Sequence, residues 1–308
     1  MTNLSMPAVL VDNHNLCGES PLWDVHEQAL YWTDTLSSSV FRYDWRAKRS
    51  ARWLQNVEVN GFALDVSGGL TLVNNSGVWF WPGAGEAVLP VTKPGQEPCR
   101  LNDCVADPAG RLLAGSTFYD PAREYALGKL FSITPDGKVG ILDEGFHLAN
   151  GLGFSPDNRT LYLTDSITRA IYAYDYDPRT GHAGHRRKFV TLDSSCGLPD
   201  GLTVDATGFV WTAEWYGSAV SRFDPDGCLE RRIPIPAKQT SSVAFGGPEL
   251  TDIFVTSAAK SEPMPVMQPG YDPTTGYFGG ALFHFNIGIQ GKAEHRTRLI
   301  LQTLVASQ

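Results

Sequence analysis

The feature that most constrains the fold is a sequence pattern that recurs six times along the chain. Each copy begins with a polar residue, continues through an apolar alternation and a turn, and ends in a second strand rich in Leu, Tyr, Trp and Val. Successive copies are spaced by 41, 42, 48, 50 and 41 residues, and they begin near Glu19, Asn60, Asn102, Asn150, Asp200 and Ser241. A repeat of this length is one supersecondary unit that cannot bury its apolar face alone, so neighbouring copies must pack together.

A second register supports the same repeat. The second strands, among them ALYWTDT and TLYLTDS, align so that equivalent positions hold Asp34, Asn75, Ser116, Asp165, Glu214 and Ser257. Turn sequences such as Asp-Pro-Ala-Gly at 107–110 separate the short strands. Repeats of about 40 to 50 residues with about four strands each are typical of propeller blades. We therefore predict an all-β fold, a single six-bladed β-propeller with four-stranded blades over residues 1–308, in which a strand near residues 8–12 completes the last blade.

Propeller geometry predicts where the polar positions of the repeat lie. The first strand of each blade lines the central channel, and the second strand runs antiparallel to it. The six polar residues that begin the copies are therefore expected in a ring around one channel mouth, with Asp34, Asp165 and Glu214 at the same mouth. Two long loops, at 117–128 and 259–280, should lie on that face, where binding residues are common, and the opposite face is expected to have only tight turns.

Three residues of the predicted ring have the chemistry of a metal site. Glu19, Asn150 and Asp200 supply oxygen ligands with a formal charge of −2. Such donors suit Ca²⁺, Mg²⁺, Mn²⁺ or Fe²⁺ better than a soft-ligand zinc or copper site. The alternative is structural: Asn-Gly and Asp-Gly are the commonest hairpin-turn dipeptides, so the pairs at 60–61, 150–151 and 200–201 would be turns and nothing more.

The segment around position 102 suggests a substrate contact, again with an alternative. Arg100 would aim its guanidinium at substrate hydroxyls or a carboxylate, or else pair with a nearby acid at the surface. Asp103 would equally cap a turn. The sequence has no GxSxG elbow, no HExxH pattern, and no Walker or dinucleotide-binding glycine motif.

Charge and cysteine usage exclude several classes of protein. The 25 Lys and Arg residues against 33 Asp and Glu residues leave a net charge of −8 spread along the chain, so the basic patch of a nucleic-acid binder is missing. No apolar run approaches the ~18 residues of a membrane helix, and residues 1–7 do not resemble a signal peptide. The five cysteines fall in no zinc spacing and are expected as reduced thiols, which favours a cytoplasmic protein. The oligomeric state is left open.

Several motifs resemble the SMP-30/gluconolactonase family, which includes regucalcin and bacterial sugar lactonases. They are GESPLWD at 18–24, RLNDCVADPAGR at 100–111, AGS at 114–116, NGL at 150–152, PDGL at 199–202 and FGG at 245–247. The resemblance covers nearly the whole chain in the right order. It implies a six-bladed propeller that holds one divalent cation at a channel mouth and hydrolyses a small-molecule sugar lactone. Ca²⁺ is the first expectation, and Mg²⁺, Mn²⁺, Fe²⁺ and Zn²⁺ are the alternatives.

The resemblance also implies roles for individual residues. Glu19, Asn150 and Asp200 would be the metal ligands, and Asp200 would also act as general base for the attacking water. The substrate contacts would be Arg100, Asn102 and Asp120, where Asp120 stands in place of a glutamate of regucalcin; nearby, Tyr119, Trp215 and Tyr216 would line the pocket. Two other functions are compatible with this scaffold, a propeller esterase or phosphotriesterase and a non-catalytic metal-binding propeller.

Overall fold

The structure is a computed structural model that describes residues 6–83, 85–95, 99–117, 128–260, 264, 266–272 and 274–298. The described residues form six four-stranded antiparallel sheets arranged as a six-bladed β-propeller, which confirms the predicted fold class. Alternating apolar residues build the short strands, and a single turn of 3₁₀ helix lies at Thr35–Ser37. The described residues contain no helix long and apolar enough to span a bilayer.

Each blade is a meander of four consecutive strands, except the last. Blade one contains β2 (Gly18–Asp24), β3 (Ala29–Asp34), β4 (Ser39–Asp44) and β5 (Arg49–Gln55), after β1 (Ala8–Asp12) has opened the chain. Blade two contains β6 (Gly61–Leu64), β7 (Leu70–Asn74), β8 (Gly77–Trp81) and β9 (Leu89–Thr92). Blade three contains β10 (Leu101–Ala106), β11 (Leu112–Ser116), β12 (Gly128–Ile133) and β13 (Val139–Phe146).

The second half of the chain continues the same pattern. Blade four contains β14 (Ala149–Phe154), β15 (Thr160–Asp165), β16 (Ala170–Asp177) and β17 (His182–Thr191). Blade five contains β18 (Leu198–Val204), β19 (Val210–Trp215), β20 (Ala219–Phe223) and β21 (Leu229–Pro234). Blade six contains β22 (Thr240–Gly246), β23 (Asp252–Ser257) and β24 (Ala281–Asn286), and β1 pairs antiparallel with β24 as its fourth strand.

The first strands form a closed ring around the central axis. Strand β2 packs against β6 and β22, β10 packs against β6 and β14, and β18 packs against β14 and β22. The core lies between neighbouring blades, where apolar side chains of adjacent sheets meet. Between blades one and six, the rings of Trp23 and Phe254 stack with their centroids 5.9 Å apart. Because the ring is closed, the ends of the first strands are held in a fixed arrangement around the channel.

The face opposite the predicted site differs from the expectation of tight turns alone. A segment that we call the strap, residues 287–298, crosses this face after β24. Its backbone bonds to Leu250, Ala206, Leu64, Val66 and Gly110, and its side chains reach Asp24, Asn158 and Asp65. The strap thus contacts the end of all six blades. It escaped prediction because it contains no strand alternation and because its partners are scattered along the chain.

Candidate functional site

The candidate site lies where the first strands begin, at one mouth of the central channel. The side chains there form a belt of hydrogen bonds from one blade to the next. Ser20 Oγ donates to the Asn60 carbonyl oxygen (3.4 Å), and Asn60 Nδ2 donates to the carbonyl oxygen of Leu101 (2.7 Å). On the other side of blade one, Ser241 Oγ donates to the Gly18 carbonyl oxygen (2.5 Å). These contacts fix the mouth independently of any ligand.

Bulges in the first strands place the site residues. In blades one, three, four and five the strand pairing shifts between Glu19 and Leu22, Leu101 and Cys104, Ala149 and Leu152, and Pro199 and Leu202. In each case the first strand advances three residues while its partner advances two, so one extra residue is inserted at the mouth. A bulge of this kind re-aims side chains and is common next to functional sites. The side chains of consecutive residues can therefore both reach the channel mouth. In a regular strand every second side chain would point away from it.

The pairs at 150–151 and 200–201 lie in strands and are not hairpin turns, and at 60–61 the glycine begins β6 while Asn60 lies just before it. Asn150 and Gly151 are part of β14, and Asp200 and Gly201 are part of β18. The glycines allow neighbouring first strands to approach: a Cβ on Gly151 would lie 2.2 Å from the backbone nitrogen of Leu202, and one on Gly201 would lie 2.0 Å from Ser242 Oγ. The glycine after each site residue is thus explained by packing around the axis.

Glu19 and Asp200, the two predicted acidic ligands, lie close enough together to affect each other's protonation. Burial, then repulsion from Asp200 and from Asp103, raises the pKa of Glu19 well above its ordinary value. Burial and repulsion from Asp103 raise the pKa of Asp200 in the same direction. Glu19 also accepts a hydrogen bond from the Ser20 backbone N–H (3.2 Å). Two carboxylates held together in this way favour an added cation.

Asp103 is a third acid at this site, and the sequence left its role open. Burial raises its pKa to about 6, and a hydrogen bond from Ser20 Oγ (3.2 Å) opposes that rise. Asp103 raises the pKa of both Glu19 and Asp200, so it lies near both acids. Within the described part of the chain, no lysine or arginine offsets the charge of the three acids. The site therefore holds three acids without a basic partner among the described residues, a setting that favours either protonation or a bound cation.

Asn150, the third predicted ligand, is 8% exposed and held on both sides. Its Nδ2 donates to Ser166 Oγ (2.8 Å), and its Oδ1 accepts a hydrogen bond from Asn102 Nδ2 (2.5 Å). Asn102 Nδ2 also donates to the Ala149 carbonyl oxygen (3.0 Å). Asn102, predicted as a substrate contact, therefore links blade three to Asn150 and orients the Asn150 amide.

The remaining predicted residues fall in different places. Arg100 adopts a left-handed backbone (φ 48°) immediately before β10, and its carbonyl oxygen accepts the Thr117 N–H (2.9 Å). Asp120 and Tyr119 lie outside the described residues.

Trp215 and Tyr216 are 5% and 4% exposed and pack in one apolar cluster with Leu198, Ala258, Met264, Val266 and Tyr271. The rings of Tyr216 and Tyr271 are 4.3 Å apart, so this pair anchors the described part of the 259–280 loop.

The channel below the site is narrow. A cavity of about 60 Å³ runs between the first strands from Ser20 and Asp103 at the mouth to Glu294 and His295 of the strap. A space of this size admits a few water molecules and no sugar-sized ligand. A substrate would therefore have to approach the acids from the face on which the first strands begin.

The donor set fits a hard divalent cation. Glu19 and Asp200 supply carboxylate oxygens and Asn150 an amide oxygen, which are the ligand types that Ca²⁺ and its neighbours prefer. The described residues contain no cluster of three or more His, Cys, Asp and Glu side chains arranged for a metal, so Asp103 does not complete a three-carboxylate site with Glu19 and Asp200, and the proposed set depends on the Asn150 amide. All five cysteines are free thiols.

The sequence and the structure are similar to known proteins across most of the chain. A family model described as "SMP-30/Gluconolactonase/LRE-like region" matches residues 17–259. The chain is 34% identical to the pentonolactonase XacC of Haloferax volcanii over 94% of this chain and 97% of that protein. It is 33% identical to regucalcin of Xenopus laevis over 84% of this chain and 88% of regucalcin. The crystal structure of a calcium-binding regucalcin from Agrobacterium tumefaciens matches with a TM-score of 0.82 and 26% identity, and the match covers 96% of this chain and 98% of that one.

Proposed function

Because the chain belongs to the SMP-30/gluconolactonase/LRE-like family, we propose that it is a lactonase that opens aldonolactones to aldonic acids with the help of one divalent cation. The observation that carries the proposal is the placement of Glu19, Asn150 and Asp200 at the bulged beginnings of three first strands, with Asp103 beside the two acids and no basic partner for them among the described residues. A relative named pentonolactonase, matched along nearly its whole length, supports a sugar lactone as the substrate.

The cation would be held by Glu19, Asn150 and Asp200, with Ca²⁺ as the first candidate because a matching structure is described as a calcium-binding protein. When bound, a divalent cation supplies Lewis-acid chemistry, polarising a carbonyl oxygen and lowering the pKa of a water molecule. Asn102 would keep the Asn150 amide oxygen aimed at the site through the hydrogen bond that it donates.

The chain's own residues would then carry the hydrolysis. A carboxylate oxygen of Asp200 takes a proton from the attacking water while the water oxygen bonds to the lactone carbonyl carbon. The bond between that carbon and the ring oxygen breaks, the ring oxygen takes up the proton that Asp200 removed and leaves as a hydroxyl, and the product is the open aldonic acid. Arg100 and Asp120 would hold the sugar hydroxyls, and Tyr119, Trp215 and Tyr216 would shape the surrounding wall.

The proposal is tested by removing the cation from purified protein with a chelator. We expect turnover of a pentonolactone, followed by acid release at constant pH, to fall to background and to return when Ca²⁺, Mg²⁺, Mn²⁺, Fe²⁺ or Zn²⁺ is added singly. Unchanged turnover in the stripped protein would contradict the metal-dependent mechanism. Asp200→Asn should lose at least ~10³-fold in kcat, because a ligand and the base are removed together.

A panel of substrates separates the proposal from its rivals. Pentonolactones and hexonolactones, aryl esters and phosphotriesters should be compared by kcat/KM with the same protein. A preference for an ester or a phosphotriester would favour the alternative propeller hydrolases. Cation binding without turnover of any of these substrates would favour a non-catalytic binding protein.

A further inference from the structure

Three buried carboxylates outside the site lie near the ends of second strands, in the same blades as the proposed ligands. Asp34 ends β3 in blade one, Asp165 ends β15 in blade four, and Glu214 lies one residue before the end of β19 in blade five. They are 3%, 0% and 0% exposed. Burying a carboxylate is costly unless several hydrogen bonds satisfy it, so each of these three must have strong partners.

Asp34 and Asp165 make the same contact in two different blades. Each aspartate accepts hydrogen bonds from two consecutive backbone N–H groups, one on each carboxylate oxygen. The donors to Asp34 are the N–H groups of Leu16 (3.0 Å) and Cys17 (2.9 Å), and the donors to Asp165 are those of His147 (3.3 Å) and Leu148 (3.1 Å). The donors lie 18 and 17 residues before the acceptor in both blades.

Glu214 makes a related contact in blade five. It accepts the Gly197 N–H (3.0 Å), and this donor again lies 17 residues before the acceptor. Arg232 donates to both of its carboxylate oxygens (2.9 and 2.8 Å), and Ser221 Oγ donates to one of them (2.5 Å). Glu214 thus accepts one backbone N–H, where the aspartates accept two, and Arg232 supplies the further donors.

The segments held in this way lead directly into the proposed ligands. Cys17 precedes Glu19 by two residues, Leu148 precedes Asn150 by two, and Gly197 precedes Asp200 by three. The blade-four loop also supports its ligand directly, because Ser166, next to Asp165, accepts from Asn150 Nδ2. Each carboxylate therefore ties the end of a rigid second strand to the backbone just before a ligand.

The equivalent positions of blades three and six hold serines that do something else. Ser116 Oγ accepts the Lys129 N–H of β12 (2.8 Å), and Ser257 Oγ donates to the Ala281 carbonyl oxygen of β24 (2.7 Å). Both serines stay within their own sheet and bond toward the third strand. In blade two the equivalent residue is Asn75, whose Nδ2 donates to Glu58 Oε1 (2.5 Å), so here the second strand supplies the donor and the carboxylate lies on the preceding segment. Among the described residues, the carboxylate contact occurs only in the three blades that hold the proposed ligands.

We propose that Asp34, Asp165 and Glu214 are positioning residues that set the backbone of Glu19, Asn150 and Asp200 for cation binding. The inference rests on the proposed function, because it concerns the same cation site. Hydrogen bonds to a charged acceptor are stronger than neutral ones, and partners that orient metal ligands typically change metal affinity ~10–100-fold when they are lost. If these carboxylates only stabilised a blade, they would be expected in other blades too. Blades three and six instead have a serine at this position.

The test compares Asp34→Asn and Asp165→Asn with a matched control, Asp205→Asn. An asparagine at position 34 or 165 presents an NH₂ group to one of two backbone N–H donors, so the segment before the ligand must shift. Asp205 is equally buried and accepts from Thr207, Phe209, Trp211 and Arg222, but it lies at the far end of a first strand, away from the mouth. All three variants should lose stability, and only the first two should bind the cation differently.

The readout is the Kd of Ca²⁺ and of Mn²⁺ for chelator-treated protein, measured by titration calorimetry at a temperature where each variant is folded by circular dichroism. We expect Kd to rise ~10–100-fold in Asp34→Asn and Asp165→Asn and to stay at the wild-type value in Asp205→Asn. With a pentonolactone at saturating cation, kcat should fall while KM changes little, because the proposed substrate contacts lie in blade three. Asp34→Ser and Asp165→Ser, which copy the side chain of blades three and six, repeat the comparison if an asparagine variant does not fold.

Three results would overturn the inference: an unchanged Kd in the position-34 and position-165 variants, an equal rise in Asp205→Asn, or a wild-type protein that binds neither ion. The failure of the proposed function looks different. If wild-type protein binds the cation but turns over no lactone, the lactonase proposal fails, and the Kd comparison still decides the role of the three carboxylates.

Discussion

At the scale of single residues, bulges and glycines build the mouth of the channel. An inserted residue in β10 lets Asn102 and Asp103 both serve the site, the first by holding Asn150 and the second by adding charge. Glycines at 151 and 201 let neighbouring first strands come within van der Waals contact. The ligand side chains are thus positioned by backbone packing as much as by their own contacts.

Gly201→Ala should test this dependence on backbone packing. The new Cβ would lie 2.0 Å from Ser242 Oγ and 2.8 Å from Ser242 Cα, so the first strands of blades five and six must separate. We expect a loss of about 1–3 kcal/mol in the free energy of unfolding, measured with urea, and weaker cation binding because Asp200 moves with its neighbour.

The control for this variant is Gly140→Ala in β13. The nearest atom to its new Cβ is the Ser132 carbonyl oxygen at 3.9 Å, and the replacement should be neutral or slightly stabilising. A Gly201→Ala protein with the wild-type urea midpoint would show that the first strands adjust freely and would contradict the packing argument.

The repeat register predicted which positions carry Glu19, Asn150 and Asp200, and it could not predict Asp103. In a regular strand Asn102 and Asp103 would point to opposite faces, so strand alternation does not place both at the mouth. The bulge that brings both to the mouth leaves no signature in a single sequence. For the same reason the Asn-Gly and Asp-Gly pairs had two interpretations until their strands were known.

At the scale of elements, the two faces of the propeller carry different structures. One face holds the ligands at the beginnings of the first strands, and the other is crossed by the strap, residues 287–298. The strands were predictable because alternation and turn residues recur six times. The strap was not, because it joins the blade ends through backbone hydrogen bonds and a few side chains that follow no period.

The strap should contribute stability without affecting the site. Thr297 is fully buried; its hydroxyl meets Thr71 Oγ1 (2.6 Å) and also donates to Asp65 Oδ2 (2.9 Å). Thr297→Val leaves these partners unsatisfied, so we expect a loss of about 1–3 kcal/mol in urea unfolding with unchanged kcat for a lactone.

Thr71→Val and the double variant complete a thermodynamic cycle. Because the two hydroxyls bond to each other, the double variant should lose less than the sum of the single losses. Additive losses would mean that the Thr71–Thr297 contact contributes nothing, and a fall in kcat would mean that the strap reaches the site.

At the scale of the whole molecule, the ring is closed by both ends of the described chain. β1 completes blade six through β24, and the strap contacts every blade on the opposite face. The proposed ligands come from blades one, four and five, so a bound cation would join three blades on the remaining face. Without it, burial and repulsion among the acids raise the pKa of Glu19 and of Asp200, so their ionised forms are disfavoured there.

The cation should therefore raise the stability of the whole propeller. A ligand that binds only the folded state stabilises it by about 2.7 kcal/mol at a free concentration 100-fold above its Kd. We expect the thermal midpoint of wild-type protein, measured by calorimetry, to rise by several degrees when Ca²⁺ replaces chelator, and to stay constant in Asp200→Asn. Sodium chloride at equal ionic strength is the second control, because a chain with a net charge of −8 also gains from simple screening. If sodium chloride gives the same rise in the thermal midpoint, the effect comes from screening. If Asp200→Asn responds to Ca²⁺ as wild type does, the ion binds at another site. Either result would refute a cation that joins blades one, four and five.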